Sequence, residues 1–228
     1  VNADNQGAIA AAGGIEVLVS LARDGNEGQK ENAAGALWNL STNDDNSVAI
    51  AAAGGIEVLV SLARDGTEGQ KVCAAGALRI LAFNDDNSVA IAAAGGIEVL
   101  IALARDGTEA QKENAAGTLA NLAINDENSV AIAAAGGIEV LIALARDGTE
   151  AQKENAAGAL ANLALNDDSS VAIVAAGGIE VLVSLARDGN EGQKENAACA
   201  LSNMIEVTPA THEGVVEAGG VAVLSSLT

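Results

Sequence analysis

The pair Gly-Gly recurs at Gly13, Gly54, Gly95, Gly136 and Gly177, each 41 residues after the last, and a sixth at Gly219 follows after 42. A period of that length, held along the whole chain, is the mark of stacked repeats and not of one closed core. Each repeat is then a small block that cannot bury its own apolar face, and only its neighbours can cover it. In the repeat 43–83, for example, Ile56, Val58, Leu59 and Leu62 point one way, while Ala74, Leu78 and Leu81 of a later segment point another.

Three helices fit into each period. In the second repeat they read NSVAIAAA (46–53), IEVLVSLARD (56–65) and EGQKVCAAGALRILA (68–82). Gly54 and Gly55 end the first helix, because glycine takes the left-handed conformation at little cost, and let the second leave at a steep angle. Asp65-Gly66 closes the second helix, with Arg64 facing the negative end of its dipole. Thr67 with Gln70 forms a capping box for the third, repeated as Thr108 with Gln111 and Thr149 with Gln152, and in asparagine form as Asn26 with Gln29 and Asn190 with Gln193. The loop 43–47, Asn-Asp-Asp-Asn-Ser, offers several caps to the next first helix. Near the C-terminus Thr208 is expected to cap a helix whose first turn holds Pro209.

The segments GGIEVLVSL, ENAAGALWNL and NDDNSVAIAAAGG resemble the armadillo repeat, in the glycine-containing version familiar from plant and protist proteins, and the likeness runs the whole length. The resemblance implies an all-α fold, a right-handed α-solenoid or superhelix of three-helix armadillo repeats. Residues 1–228 are read as a single armadillo-repeat domain with repeats 2–42, 43–83, 84–124, 125–165 and 166–207 and a partial repeat 208–228. The chain begins inside a first helix and stops after a second, which suits either a piece of a longer natural array or an engineered one. Repeats 84–124 and 125–165 differ at only four positions, Thr118/Ala159, Ile124/Leu165, Glu127/Asp168 and Asn128/Ser169. Recent duplication and consensus design explain that equally well.

Charge narrows the partners. Eleven cationic side chains against 31 anionic ones leave a net charge of −20, a surface that repels phosphate backbones and anionic lipid headgroups. Neither nucleic acid nor membrane is expected as a partner; a basic peptide or protein segment is. Cys73 and Cys199 lie three repeats apart, about 30 Å at about 10 Å per helix layer, whereas a disulfide needs Cα atoms closer than about 7 Å. That fits a reducing intracellular setting, cytoplasmic or nuclear. The single His212 has no cysteine partner, no glycine turn carries a phosphate-loop lysine, and the Asp44-Asp45 and Asp85-Asp86 pairs lack calcium-loop spacing. No enzyme activity, cofactor or metal is therefore expected.

The third helix carries the candidate site. With Asn39 placed at zero and about 100° per residue, Asn32 and Gly28 fall about 20° away and Gly35 about 40° away. Leu37, Leu40, Ala33 and Ala34 point elsewhere, so this polar stripe is left for the inner wall of the superhelix. Asn39 recurs as Asn121, Asn162 and Asn203, and Asn32 as Asn114, Asn155 and Asn196; the second repeat carries Ile80 and Cys73 instead. An amide carries donors and an acceptor together and can hold a peptide main chain without reading its side chains. Glu31, Glu113, Glu154 and Glu195 run beside the ladder as an acidic rail, and Trp38 projects to the side. In the importin-α and β-catenin families, which the chain resembles, an asparagine on the third helix clamps the ligand backbone. In importin-α a tryptophan four residues earlier holds a Lys or Arg stem; here that place is Gly35, Gly76, Gly117, Gly158 and Cys199.

The expected function is a peptide-binding module that grips an extended, basic segment through this ladder and rail. The alternative is a structural or engineered scaffold with no dedicated ligand, associating end to end, in which the asparagines bridge neighbouring helices, the glutamates are an ordinary solvated face and Trp38 is packing.

Overall fold

The computed structural model describes residues 3–207 and 209–226, and every regular element within them is an α-helix. The first repeat holds α1 (Ala3–Ala11), α2 (Gly14–Asp24) and α3 (Glu27–Leu40), and the second α4 (Asp44–Ala52), α5 (Gly55–Asp65) and α6 (Glu68–Leu81). There follow α7 (Asp85–Ala93), α8 (Gly96–Asp106), α9 (Glu109–Leu122), α10 (Asp126–Ala134), α11 (Gly137–Asp147) and α12 (Glu150–Leu163). The chain ends with α13 (Asp167–Ala175), α14 (Gly178–Asp188), α15 (Glu191–Val207), α16 (Pro209–Glu217) and α17 (Gly220–Ser226). Pro209 opens α16, where its missing N–H does no harm; Thr208, the expected cap, lies outside the described residues. The helices gather into two compact units, Val1–Thr118 and Leu119–Thr228.

The double glycine has two separate jobs. Gly54 sits in the left-handed region at φ 74°, which a side chain would resist. Gly55 permits a close approach instead, since a Cβ there would lie 2.7 Å from the main-chain oxygen of Ile50. Together they turn the chain by 80° between α4 and α5, and the same pair turns it by 83° between α10 and α11.

The helix starts differ slightly from expectation. The first helix of the second repeat begins at Asp44 and not at Asn46, because Asn43 is the residue that caps it, its Oδ1 accepting the Asn46 N–H at 3.0 Å. Asp44 and Asp45 then occupy the first turn, where the dipole favours negative charge.

The middle helices are enclosed on nearly every side. Ile56, Leu59, Leu62 and Ala63 of α5 are buried, as are the inward residues Ala33, Ala34, Leu37 and Leu40 of α3. Each enclosed Ile or Leu contributes about 1.5–3 kcal/mol. Alanines between them let the helix axes come close.

All five capping boxes form. They also explain why the third position is glutamine and never glutamate. Gln70 Oε1 accepts the Thr67 N–H at 3.2 Å, while its Nε2 donates to the main-chain oxygen of Glu27 in the preceding repeat at 2.9 Å. Gln111 does the same toward Glu68, at 3.1 Å, and Gln193 toward Glu150, at 2.9 Å. One side chain thus finishes its own helix and ties it to the neighbour.

A second tie joins first helices. Asn87 Nδ2 donates to Ser47 Oγ at 3.1 Å. It fails toward both ends of the array: Asn46 Nδ2 and Ser170 Oγ are buried and have no hydrogen-bond partner among the described residues. In the place of the serine that Asn46 would need stands Gln6, whose amide goes to Asn39 O and Thr42 Oγ1. The residue that should serve Ser170 is Thr211, which turns to Met204 O at 2.6 Å.

Gln70→Glu tests the double role of the capping glutamine. It removes the inter-repeat donor and sets a buried negative charge against a carbonyl oxygen, so a loss of about 2 kcal/mol in urea unfolding is expected at neutral pH. Burial raises the folded-state pKa of such a carboxyl, and the protonated form regains a donor. The penalty should therefore shrink as the pH falls through that value.

Candidate functional site

The third-helix stripe is present in both units, but its asparagines are not free. In the second unit Asn162 Nδ2 donates to Ala120 O at 2.9 Å and Asn203 Nδ2 to Ala161 O at 3.0 Å, each reaching the third helix of the preceding repeat. Those carbonyls need the help. At the end of α12, Ala164, Leu165 and Asn166 donate to Leu160, Asn162 and Leu163, which leaves Ala161 O without a main-chain donor. Helix C-termini always leave such carbonyls over. Here the next repeat supplies the cap.

The other ladder behaves likewise. Asn196 Nδ2 donates to Glu154 O at 3.1 Å, and in the first unit Asn114, only 7% exposed, reaches Val72 O at 3.5 Å. Asn121 and Asn155 are half-buried, and each has a bonding partner. In the first repeat Asn32 and Asn39 are exposed, and Asn39 Nδ2 turns back to Gly35 O at 3.1 Å. Asn203 Nδ2 also donates to Cys199 Sγ at 3.8 Å. A single bond to the neighbouring helix, as at Asn162, uses one of the three hydrogen-bonding groups that an amide carries.

The second repeat breaks the pattern, and a nearby residue compensates. Ile80 stands where an asparagine should donate to Trp38 O. Ser41 Oγ does so instead, at 2.7 Å. The matching position is alanine in the later repeats, as Ala82, Ala123 and Ala164.

Trp38 lies flat on the next repeat: a Cβ at Gly76 would meet its ring carbons at 2.6–2.7 Å. Arg79 lies on Gly117 in the same way, with Cζ 2.7 Å from a Cβ there. The glycines at the tryptophan position of importin-α thus serve in the first unit as seats for the residue one turn along the preceding third helix. Sequence reasoning had the two positions but not their contact, which no local pattern encodes. Gly158 in the second unit has only ordinary contacts, the nearest being Asn196 Nδ2 at 3.5 Å from a Cβ.

Of the acidic rail, Glu31, Glu154 and Glu195 are exposed and Glu113 is half-buried. Glu31 lies over Gly69 and Glu154 over Gly192, each in the first turn of the following third helix. Both cysteines are free thiols. Burial first, and the Glu31 carboxylate second, push the Cys73 thiol above its ordinary range. His212 is exposed on α16, and no group of three His, Cys, Asp or Glu side chains among the described residues is placed to hold a metal ion. Nor is any single helix there long and apolar enough to cross a membrane.

A family model for the Armadillo/beta-catenin-like repeat matches residues 2–42, 84–124, 125–165 and 166–205. The chain belongs to the armadillo repeat family. The repeat left unmatched, 43–83, is the one carrying Val72, Cys73, Arg79 and Ile80 on its third helix. Among solved structures, one engineered protein is 37% identical with a TM-score of 0.90, over 93% of this chain and 88% of that one. A second engineered protein is 39% identical with a TM-score of 0.95, over 99% of this chain and 56% of that one. A computationally designed armadillo repeat protein for modular peptide recognition is 26% identical with a TM-score of 0.88, over 93% and 91%. No curated protein matches. The fold is thus an armadillo α-solenoid, similar to that of designed members of the family.

Two outcomes are expected at this site. Ser41→Ala should cost about 1 kcal/mol in urea unfolding by stranding Trp38 O. Ile80→Asn should then cost less in the Ser41→Ala background than alone, a favourable coupling in a double-mutant cycle. At about pH 8, where an ordinary thiol reacts readily, iodoacetamide should alkylate Cys73 more slowly than N-acetylcysteine. Glu31→Gln should speed it, because removing the carboxylate lowers the thiol pKa and raises the thiolate fraction.

Proposed function

We propose that this armadillo array binds an extended, basic peptide segment along its third-helix stripe. The observation that carries the reading is the state of Asn162: one N–H of its amide is pinned to Ala120 O of the neighbouring helix, which leaves its oxygen and second N–H for a ligand main chain. Asn203 is pinned likewise to Ala161 O and also donates to Cys199 Sγ at 3.8 Å, which leaves its oxygen. Pinned amides lose little freedom on binding, which is the advantage of preorganisation. Glu154 and Glu195 stand exposed about two turns earlier on the same helices and would receive Lys or Arg side chains, each exposed pair contributing about 0–1 kcal/mol. The designed relative for modular peptide recognition is in keeping with this use of the fold.

One observation favours a second reading. The donors are spent inside the stack, as a purely structural bridge requires, so a scaffold with no ligand of its own would carry the same asparagines.

Isothermal titration with an octapeptide of alternating Lys and Arg, at low and high salt, separates the two. The binding reading expects saturable binding that weakens with salt. It also expects about a fivefold loss for Glu154→Gln with Glu195→Gln, the equivalent of about 1 kcal/mol. Asn162→Ala with Asn203→Ala should weaken binding about tenfold or more while the chain stays helical. If the octapeptide does not bind, or if both double variants bind it as well as the parent, the scaffold reading stands.

A further inference from the structure

The corner between the first two repeats holds a feature that neither the asparagine ladder nor the packing explains. Phe83, just past the end of α6, is 68% exposed, and Val48 on α4 is 54% exposed. With Ile80, Ser47, Asp44 and Asp45 they line a cavity of about 550 Å³. The position of Phe83 is held by Thr42 one repeat earlier and by the exposed Ile124 and Leu165 in the next two, so the aromatic ring is peculiar to this repeat. Asp44 and Asp45 contribute to no ion pair among the described residues.

We propose that this cavity receives an arginine side chain from a partner protein. The walls match its two halves. Val48 and Ile80 offer aliphatic surface to the stem, the exposed Phe83 ring offers a face on which a planar guanidinium stacks, and the two aspartates supply the counter-charge. An apolar side chain would desolvate the carboxylates with nothing in return. An acidic side chain or a phosphate would be repelled. In this cavity Ile80 stands in place of the asparagine that caps the neighbouring helix in the second unit, and Ser41, also in the lining, takes over that bond. The inference does not rest on how the asparagine ladder is used.

Phe83 is the only phenylalanine in the chain, so one labelled ring gives one unambiguous NMR signal. Titration with the capped tripeptide Gly-Arg-Gly should shift that signal saturably, and the capped Gly-Glu-Gly should not. Asp44→Asn with Asp45→Asn keeps polar residues in the first turn of α4 and should weaken the arginine peptide by about fivefold, with the helical circular dichroism unchanged. Three results would overturn the proposal: no shift, an equal shift with capped Gly-Leu-Gly, or an affinity indifferent to the two aspartates. Asn162→Ala with Asn203→Ala should leave this titration as it was. Loss of octapeptide binding and loss of the Phe83 shift therefore report on different sites.

Discussion

The third helices α9 and α12 each end on a carbonyl that their own repeat leaves without a donor, and the repeat that follows supplies one. The bonds from Asn162 to Ala120 O and from Asn203 to Ala161 O are the visible cases. An exposed carbonyl would find water. Between packed helices a missing partner costs about 1–3 kcal/mol. The requirement fixes which residue must stand at that position and in what orientation. It also makes each repeat dependent on the next for more than apolar cover. The capping glutamines impose the same dependence at the other end of the helix, where Gln70 and Gln193 finish one helix and hold the last.

Where the repeats cease to be alike, the polar accounts show it. Ser41 makes good the missing amide at Ile80, so the second repeat departs from the family pattern without stranding Trp38 O. Asn46 and Ser170 are not made good, and both lie where the first-helix tie meets an atypical neighbour, Gln6 on one side and Thr211 on the other. Their unpaired atoms are a local weakness that regular interior repeats, such as the one joining Asn87 to Ser47, do not have.

The fold was legible in the sequence because its causes are local. The glycine pair, the Thr-x-x-Gln boxes and the 41-residue period each act over a few residues, and the helices fall within two residues of where those signals put them. The start of α4 was read late only because two asparagines compete for the cap, and Asn43 wins by leaving both aspartates in the first turn. The site was legible in composition and not in bonding. The asparagine and glutamate rows could be counted from the sequence, but the amide partners are main-chain oxygens 42 residues away, and a carbonyl leaves no trace in a sequence. For the same reason the seat that Gly76 offers Trp38 was invisible: a glycine announces room without saying who fills it.

A perfectly regular ladder has a defect as a recognition device, since a ligand main chain can slide along it by one repeat and find the same groups again. If the array binds as proposed, the irregular second repeat would remove that degeneracy. Ile80 and Cys73 withdraw two amides, Trp38 and Arg79 cover the glycines of the following repeats, and Phe83 stands exposed beside a pair of aspartates. On the proposed reading, main-chain pairing would be lost at that one place and side-chain chemistry offered in its stead. The uniform repeats would then supply affinity that any extended segment can use, and the departure from uniformity would set the register.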